Sequence, residues 1–436
     1  MIPKMDNITG SKELRNKILF TFALLIVYRL GIHVPVPGIN GEAVSDFFDS
    51  ASNTLFGMFD MFSGGGLSRL SVFALGIMPY ISASIILQLL TVVSPELERL
   101  KKKEGEAGRK KITQYTRYLT VLITFVQGTG IAIGLQNMTS PTGVPVVPDP
   151  GMLFVFVTVI TLTTGTCFIM WLGEQITAKG IGNGISLIIF AGIVAGLPGA
   201  LMKTFRLLGT GEMTIFVVIV ILALILAVLA FTCFMETSQR RIPIQYAKRM
   251  MGRKLYGGQT THLPLRVNTA GVIPPIFASS ILMFPGTIAS FSQVEWLQQI
   301  SAYFAPGSLP YNLSFVVLII FFCFFYTAII FDPKDIAENL KKQGGFIPGI
   351  RPGIHTKEYI DKVLSRITLW GSLYISAICV LPMLLINKLN VPFYFGGTSL
   401  LIVVGVAIDT MNKIQSYLIT NQYEGLMQKS KLKGRL

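Results

Sequence analysis

The sequence predicts an all-α integral membrane protein of ten transmembrane helices. Three observations carry that expectation. Of the 436 residues, 51% are hydrophobic and only 14% are charged, against about 25% charged in soluble domains. The few charges bound long uncharged runs, and a bilayer core asks for about 20 consecutive apolar residues. Thirty-two of the 37 Lys and Arg fall on alternate connections between those runs, as the positive-inside rule asks of a multi-spanning chain.

The first run, Ile18–Tyr28, continues past Arg29 to about Pro37. The others are Leu70–Pro95, Tyr118–Pro148, Pro150–Gly173, Gly180–Met202, Met213–Met235, Val267–Val294, Trp296–Phe331, Ile367–Asn387 and Leu389–Ile408. Ten spans use most of the chain and leave no large soluble domain. The leading MIPKMDNITGSKELRNK lacks a small-residue cleavage site, so the first run is expected to be a retained span. Cys167, Cys233, Cys323 and Cys379 all lie inside runs, where a thiol acts as a small apolar group. His33, His262 and His355 are scattered without ligand spacing, so no metal or other cofactor is expected.

With the amino terminus on the cytoplasmic side, the inner segments carry 4 Lys or Arg in residues 1–17 and 8 in 94–117. There is 1 in 174–184, with 7 in 236–266, 7 in 332–366 and 5 in 413–436. Arg29, Arg69, Lys203, Arg206 and Lys388 remain on or near the outer side. Both termini are then cytoplasmic, as an even number of spans requires. Segments 236–266 and 332–366 are far longer than the 2 to about 8 residues of most connections. Their basic charge serves topology and contact with anionic lipid. It also suits a docking platform for an acidic or polyanionic partner, because Arg offers a bidentate fork to phosphate and carboxylate, and ribosomal RNA fits such a surface.

Ion-coupled pumps bury ionisable residues at mid-span, and here no run carries one; Asp409 and Glu174 stand at span ends. No Ser/His/Asp set or paired carboxylates occur within the runs, so an enzyme is not expected. What remains is isoleucine and glycine. Ile81 and Ile85, and again Ile185 and Ile189, are four residues apart and share one helix face; lipid contact and packing explain such pairs as well as function does. Gly182, Gly184, Gly192, Gly196 and Gly199 permit close helix approach. NTLFGMFDMFSGGGLSRL is too polar and too short to cross. It suits a re-entrant helix in a protein-lined cavity, or an interfacial helix.

FALGIMPYISASIILQLL, KKEGEAGRKKITQYTRYLT, WLGEQITAKGIGNGISLIIFAGIVAGLP, THLPLRVNTAGVIPPIFASSI and IAENLKKQGGFIPGIRPG closely resemble the SecY family, the central subunits of the bacterial protein-conducting channel. The likeness runs from about Lys17 to Gly434. It implies two pseudo-symmetric halves of five helices around a central pore, with a short re-entrant plug helix. Here the halves would be residues 1–200, with the plug at about 55–71, and 201–436, with both long basic loops. Carried over by motif, the pore ring is Ile81, Ile85, Ile185, Ile189, Ile276 and Ile402. The plug comprises Leu55, Phe56, Gly57, Met58, Phe59, Met61, Phe62, Gly64, Gly65 and Gly66. Gln127 and Asn268 are polar members of a lateral gate between the second and third and the seventh and eighth spans. Arg240, Arg241, Arg253, Lys254 and Arg351 would dock the SecA motor ATPase or the ribosome. The resemblance further implies SecE as obligatory clamp, SecG as accessory, and secretory polypeptides and signal sequences as the transported chains, in the bacterial inner membrane. A secondary transporter built on inverted repeats would share span count and orientation, but should show a charged midplane site.

Overall fold

The computed structural model describes residues 12–50, 57, 60, 62–136, 138, 143–211, 214–246, 249–251, 254–256, 260–291, 308–389 and 397–433. Among these, ten helices answer to the ten expected spans. They are α1 (Lys12–Gly31), α3 (Met78–Val93), α5 (Gly105–Gln136), α6 (Met152–Lys179), α7 (Gly184–Gly209) and α8 (Ile215–Thr237). The series continues with α9 (Ile273–Phe291), α10 (Leu309–Ile330), α12 (Ile354–Leu389) and α13 (Gly397–Lys433). Short helices α2 (Gly41–Ser50), α4 (Pro95–Lys103) and α11 (Pro333–Lys342) lie between them. Seven of the described helices are long and apolar enough to cross a bilayer on their own. Helix α8 shows why water is the wrong solvent: Ile215, Phe216, Ile219, Leu222, Leu226 and Phe234 are all more than half exposed. A continuous apolar surface of that kind calls for lipid or a partner.

Prolines and polar caps set the boundaries. Ser94 closes α3, and Pro95, which has no N–H to give, opens α4. The Ser308 hydroxyl accepts from the Tyr311 amide at the start of α10, and Asp332 caps α11 through the Lys334 amide at 2.9 Å. In the run Leu70–Pro95 the long apolar stretch is not one long helix: α3 begins only at Met78. Residues 64–77 form successive turns, with Gly64, Gly65, Gly76 and Leu70 at positive φ. Leu70 is the only described non-glycine residue there, at φ 41°.

The chain separates into two compact units: residues 1–205, 283–306 and 402–436 in one, 206–282 and 307–401 in the other. In the first, α5 packs along α3 and α6 through small residues. Gly128 faces Val159 and Leu162, and a side chain at Gly165 would overlap the Val72 carbonyl, so the backbones meet closely. Thr116, Thr120 and Thr124 are buried on α5, each hydroxyl donating to the carbonyl four residues back. Near the start of α1, Leu14, Ile181 and Leu418 form a small core, beside which the Lys17 ammonium lies 4.3 Å from the Tyr417 ring centre. The hydroxyl of Thr21 accepts from the Ile181 amide at 3.1 Å.

In the second unit the two long basic segments are not plain loops. Strands β1 (Gln239–Tyr246) and β4 (Thr260–Arg266) pair antiparallel, and β5 (Gly345–Phe346) adds to the other side of β1. A two-stranded ribbon of β2 (Arg249–Met251) and β3 (Lys254–Tyr256) lies between β1 and β4 in sequence. Ile242, Ile244 and Leu265 point from the sheet into a core shared with Leu340, Ile347, Ile360 and Leu364, so the sheet, α11 and the first turns of α12 form one layer. Pro243 is tolerated in the middle strand because β5 pairs only with Gln245 and Tyr246. Cys167, Cys233, Cys323 and Cys379 are free thiols.

Replacing Gly165 with Ala sets a methyl against backbone, which no rotamer change relieves. The expected cost is about 1–3 kcal/mol, read as a lower thermal midpoint of the detergent-solubilised protein, whereas Gly196→Ala, facing open space, should leave the midpoint within error.

Candidate functional site

Ile81 and Ile85 lie on α3 just after Pro79 and are 8% and 4% exposed. On α7, Ile185 is half-buried and Ile189 buried; Gly192, three residues on, continues their face. Ile276 follows the Pro274–Pro275 pair of α9, is buried, and its carbonyl accepts from the Ser279 and Ser280 hydroxyls at 2.9 and 2.8 Å. Ile402 is 1% exposed on α13. Ile81, Ile85, Ile185, Ile189 and Ile402 belong to the first unit and Ile276 to the second.

Of the expected plug, Leu55, Phe56, Met58, Phe59 and Met61 lie outside the described residues. Gly57, Asp60, Phe62 and Ser63 are helical, and Phe62 is 1% exposed. The helical turn ends at Ser63, whose hydroxyl accepts from the Gly66 and Leu67 amides. The Gly65 amide donates to the Asp60 carbonyl, and the Asp60 carboxylate accepts from the Ser68 amide at 2.7 Å. Burial pushes the Asp60 carboxyl above its ordinary range, against the lowering effect of the Ser68 amide.

Gly64 then meets Gly192 of α7 backbone to backbone: a Cβ on Gly64 would stand 2.8 Å from the Gly192 Cα. That contact falls about 4.5 Å along α7 from Ile189. Beyond it the chain is stitched to the segment after α1, with the Val36 amide on the Leu70 carbonyl and the Val72 amide on the Val34 carbonyl, both at 2.9 Å. Leu67, Leu70, Ala74 and Leu75 pack into a core with Val36, Val44, Phe48, Val146 and Phe154.

The two gate candidates differ. Gln127 is half-buried on α5, beside buried Thr124 and Gly128. Asn268 is nearly fully buried, and its amide donates to the Glu236 carboxylate at 2.6 Å and to the Gly271 carbonyl at 3.1 Å. Its carbonyl accepts from the Gly271 amide at 2.9 Å. Asn268 thus fixes the turn that begins α9 to the end of α8. Sequence reading missed Glu236, which only bounded an uncharged run; a lone carboxylate at a span end within a basic segment was the available signal. It also passed over the Arg117–Glu174 pair, bidentate at 2.9 and 2.7 Å, which ties α5 to α6.

Arg240 and Arg241 are exposed on β1, where the pattern turns Ile242 and Ile244 inward. Arg351 is exposed in the Gly349–Gly353 turn, with both glycines at positive φ and its carbonyl accepting from the Thr356 hydroxyl at 3.0 Å. Lys254 lies in β3, and Arg253 lies outside the described residues. Among the described residues no three His, Cys, Asp or Glu side chains come together to hold a metal.

A family model described as SecY matches residues 71–411. The chain belongs to the SecY family. The protein translocase subunit SecY of Pseudomonas aeruginosa is 54% identical over 429 residues, covering 98% of this chain and 96% of that protein. Its counterpart in Aquifex aeolicus is 48% identical over 418 residues, covering 96% and 97%. Among solved structures, one described as a protein conducting channel has a TM-score of 0.66 at 17% identity, covering 93% of both chains. Sec61 in the canine ribosome-channel complex from the endoplasmic reticulum has a TM-score of 0.60 at 15% identity, again over 93% of each. At those identities the structural likeness speaks for the fold alone. Sequence kinship and apolar helices together make this SecY-family chain a multi-pass membrane protein.

Glu236→Ala should leave a buried amide hydrogen of Asn268 without its acceptor, a loss of about 1–3 kcal/mol read as a lower thermal midpoint. Glu236→Gln keeps an acceptor and should recover most of it.

Proposed function

We propose that this SecY-family chain is the pore subunit through which unfolded secretory polypeptides cross the cytoplasmic membrane, and from which hydrophobic segments leave sideways into lipid. The observation that carries the reading is the seat of Gly64 on Gly192. It supports a plug segment that ends beside the α7 face carrying Ile185 and Ile189, of which Ile189 is buried. In this reading Ile81, Ile85, Ile185, Ile189, Ile276 and Ile402 form a ring that dewets, resisting ions while yielding around a chain. Residues 55–71 cover it from outside. The halves 1–200 and 201–436 part around it, and Gln127 and Asn268 line the gate. A segment at that gate partitions by its own side chains, gaining about 0.3–0.6 kcal/mol for each Leu, Ile, Phe or Val in lipid and losing about 2.5–3.5 for a central charge.

The channel offers a path, and the driving energy comes from a partner. Arg240, Arg241 and Arg351 on the cytoplasmic layer, Lys254 of the β2–β3 ribbon and Arg253 are the proposed docking residues for SecA or the ribosome, with SecE as clamp and SecG as accessory. The exposure of Arg240, Arg241 and Arg351 above a common apolar core supports a rigid, positively charged platform. The Sec61 structure solved in a ribosome-channel complex supports ribosome docking in the same fold. Both termini are then cytoplasmic, in the inner membrane of a bacterium.

Ile276→Asn or Ile402→Asn should hydrate the seal. Each is expected to raise ion conductance of the reconstituted resting channel about tenfold and to admit precursors with defective signals; unchanged conductance in both would remove these residues from the ring. Arg351→Glu should abolish export of a secretory precursor driven by the motor ATPase and ATP, with the amount of folded protein unchanged because the site is a turn. Normal export would move the docking role elsewhere.

A further inference from the structure

Arg29 is an anomaly of the charge pattern. It is one of only five Lys or Arg on or near the outer side, it interrupts the first apolar run, and a charge near the outer boundary has a cost. Its side chain nevertheless turns toward protein. Nη1 of Arg29 donates to the Gly64 carbonyl at 2.8 Å, and the hydroxyl of Tyr28, the residue before it, donates to the Ser63 carbonyl at 3.0 Å. Tyr28 is 1% exposed and its ring stacks against Phe73, 6.1 Å between centres, so its hydroxyl has little freedom to point elsewhere. Both acceptors belong to the end of the helical turn that closes at Ser63, where carbonyls lack partners within a helix and where a cation is favoured.

We infer that Arg29 is a positioning residue for the seal: with Tyr28 it latches the plug segment to α1 at its hinge, and so sets how often the idle channel opens. The inference rests on the plug reading given above. The geometry divides the segment at this point. After Gly66 the chain is immobilised by the Val36–Leu70 and Val72–Val34 backbone bonds and by burial of Leu67, Leu70 and Leu75. Gly64 and Gly65 are both at positive φ, a conformation glycine adopts without strain, so the backbone there has room to change direction. Where the hinge meets α7 the contact is glycine on glycine, Gly64 against Gly192, with no side chain of either residue to hold it. What fastens the hinge in place is therefore polar: Asp60 and Ser63 brace it from within through the amides of residues 65–68, and the bonds that tie it to another element come from α1. The Arg29 bond is charge-assisted and sits in a half-buried site, which makes it the stronger of the two. Swinging the segment away leaves Arg29, Tyr28 and two carbonyls without these partners, and that loss holds the closed population up.

The test uses the complex reconstituted with its partner subunits, and reads ion conductance at rest and export of a precursor with a disabled signal. Arg29→Ala should raise both about tenfold, the effect of one charge-assisted bond on a two-state ratio, with the yield of assembled complex unchanged. Tyr28→Phe should give a smaller rise, and Arg29→Lys, which keeps a donor, should fall near the parent. A general loss of packing would lower export of the normal precursor and would not be rescued by Lys. A variant shortened across residues 57–66 separates the two levels of the argument. If it leaks while Arg29→Ala does not, the latch is overturned and the plug reading stands. If neither variant leaks, the plug reading falls and the latch with it.

Discussion

The constraint on which the rest of this structure depends is that a bilayer offers backbone amides and carbonyls no water. Helices satisfy themselves; irregular chain at membrane depth must find its partners in protein. Residues 64–77 are irregular and lead into the apolar run that begins at Leu70, and the surrounding architecture serves them. The Ser63 hydroxyl and Asp60 take up the amides of Gly66, Leu67 and Ser68, the segment after α1 supplies backbone bonds at Leu70 and Val72, and Tyr28 and Arg29 take up two carbonyls. A core reaching from Val36 to Phe154 covers the apolar side chains. Leu70 is held at φ 41° within it, a conformation costly for a branched side chain and sustained only where neighbours determine it. The price of an irregular segment is a densely satisfied shell.

The spans were legible because they follow from charge spacing, a one-dimensional property. The full length of α3 was not. Leu70–Pro95 contains no charge, so hydropathy cannot tell turns buried in protein from helix facing lipid; Gly76 and Pro79 were the local cues, and composition outweighs them in a window of that width. The sheet was hidden for another reason. RRIPIQY alternates correctly for a strand but holds a proline and is short, and its partners are residues 260–266 and 345–346, the latter about a hundred residues away. No local signal states such a pairing.

The isoleucine pairs on α3 and α7 could be read as faces from their spacing, yet spacing does not distinguish a face turned to lipid from one turned to protein. Burial of Ile81, Ile85 and Ile189 makes that distinction, and the likeness to the SecY family gives it a purpose. Arg29 was legible only as one of five basic residues outside the inner segments; that its side chain donates to a carbonyl thirty-five residues on could not be read from charge. Exceptions to a strong compositional rule are where tertiary structure has outweighed it.

The cytoplasmic layer shows the same logic with the solvent reversed. Two basic segments facing water could remain loose loops, because water satisfies their backbone and like charges repel. They are instead joined in a sheet over Ile242, Ile244, Leu265, Ile347 and Ile360, with Arg240 and Arg241 on the exposed side. Fixing a basic side chain before a partner arrives lowers the ordering cost of binding, and mounting it on the layer that packs along α12 joins it to a span of the same unit. A push on Arg351 would reach α12 through the turn that follows, where the Thr356 hydroxyl holds the Arg351 carbonyl. Rigidity there has a local cause: the apolar core beneath the sheet is shared with α11 and the start of α12, so the exposed arginines stand on packed structure and not on free chain.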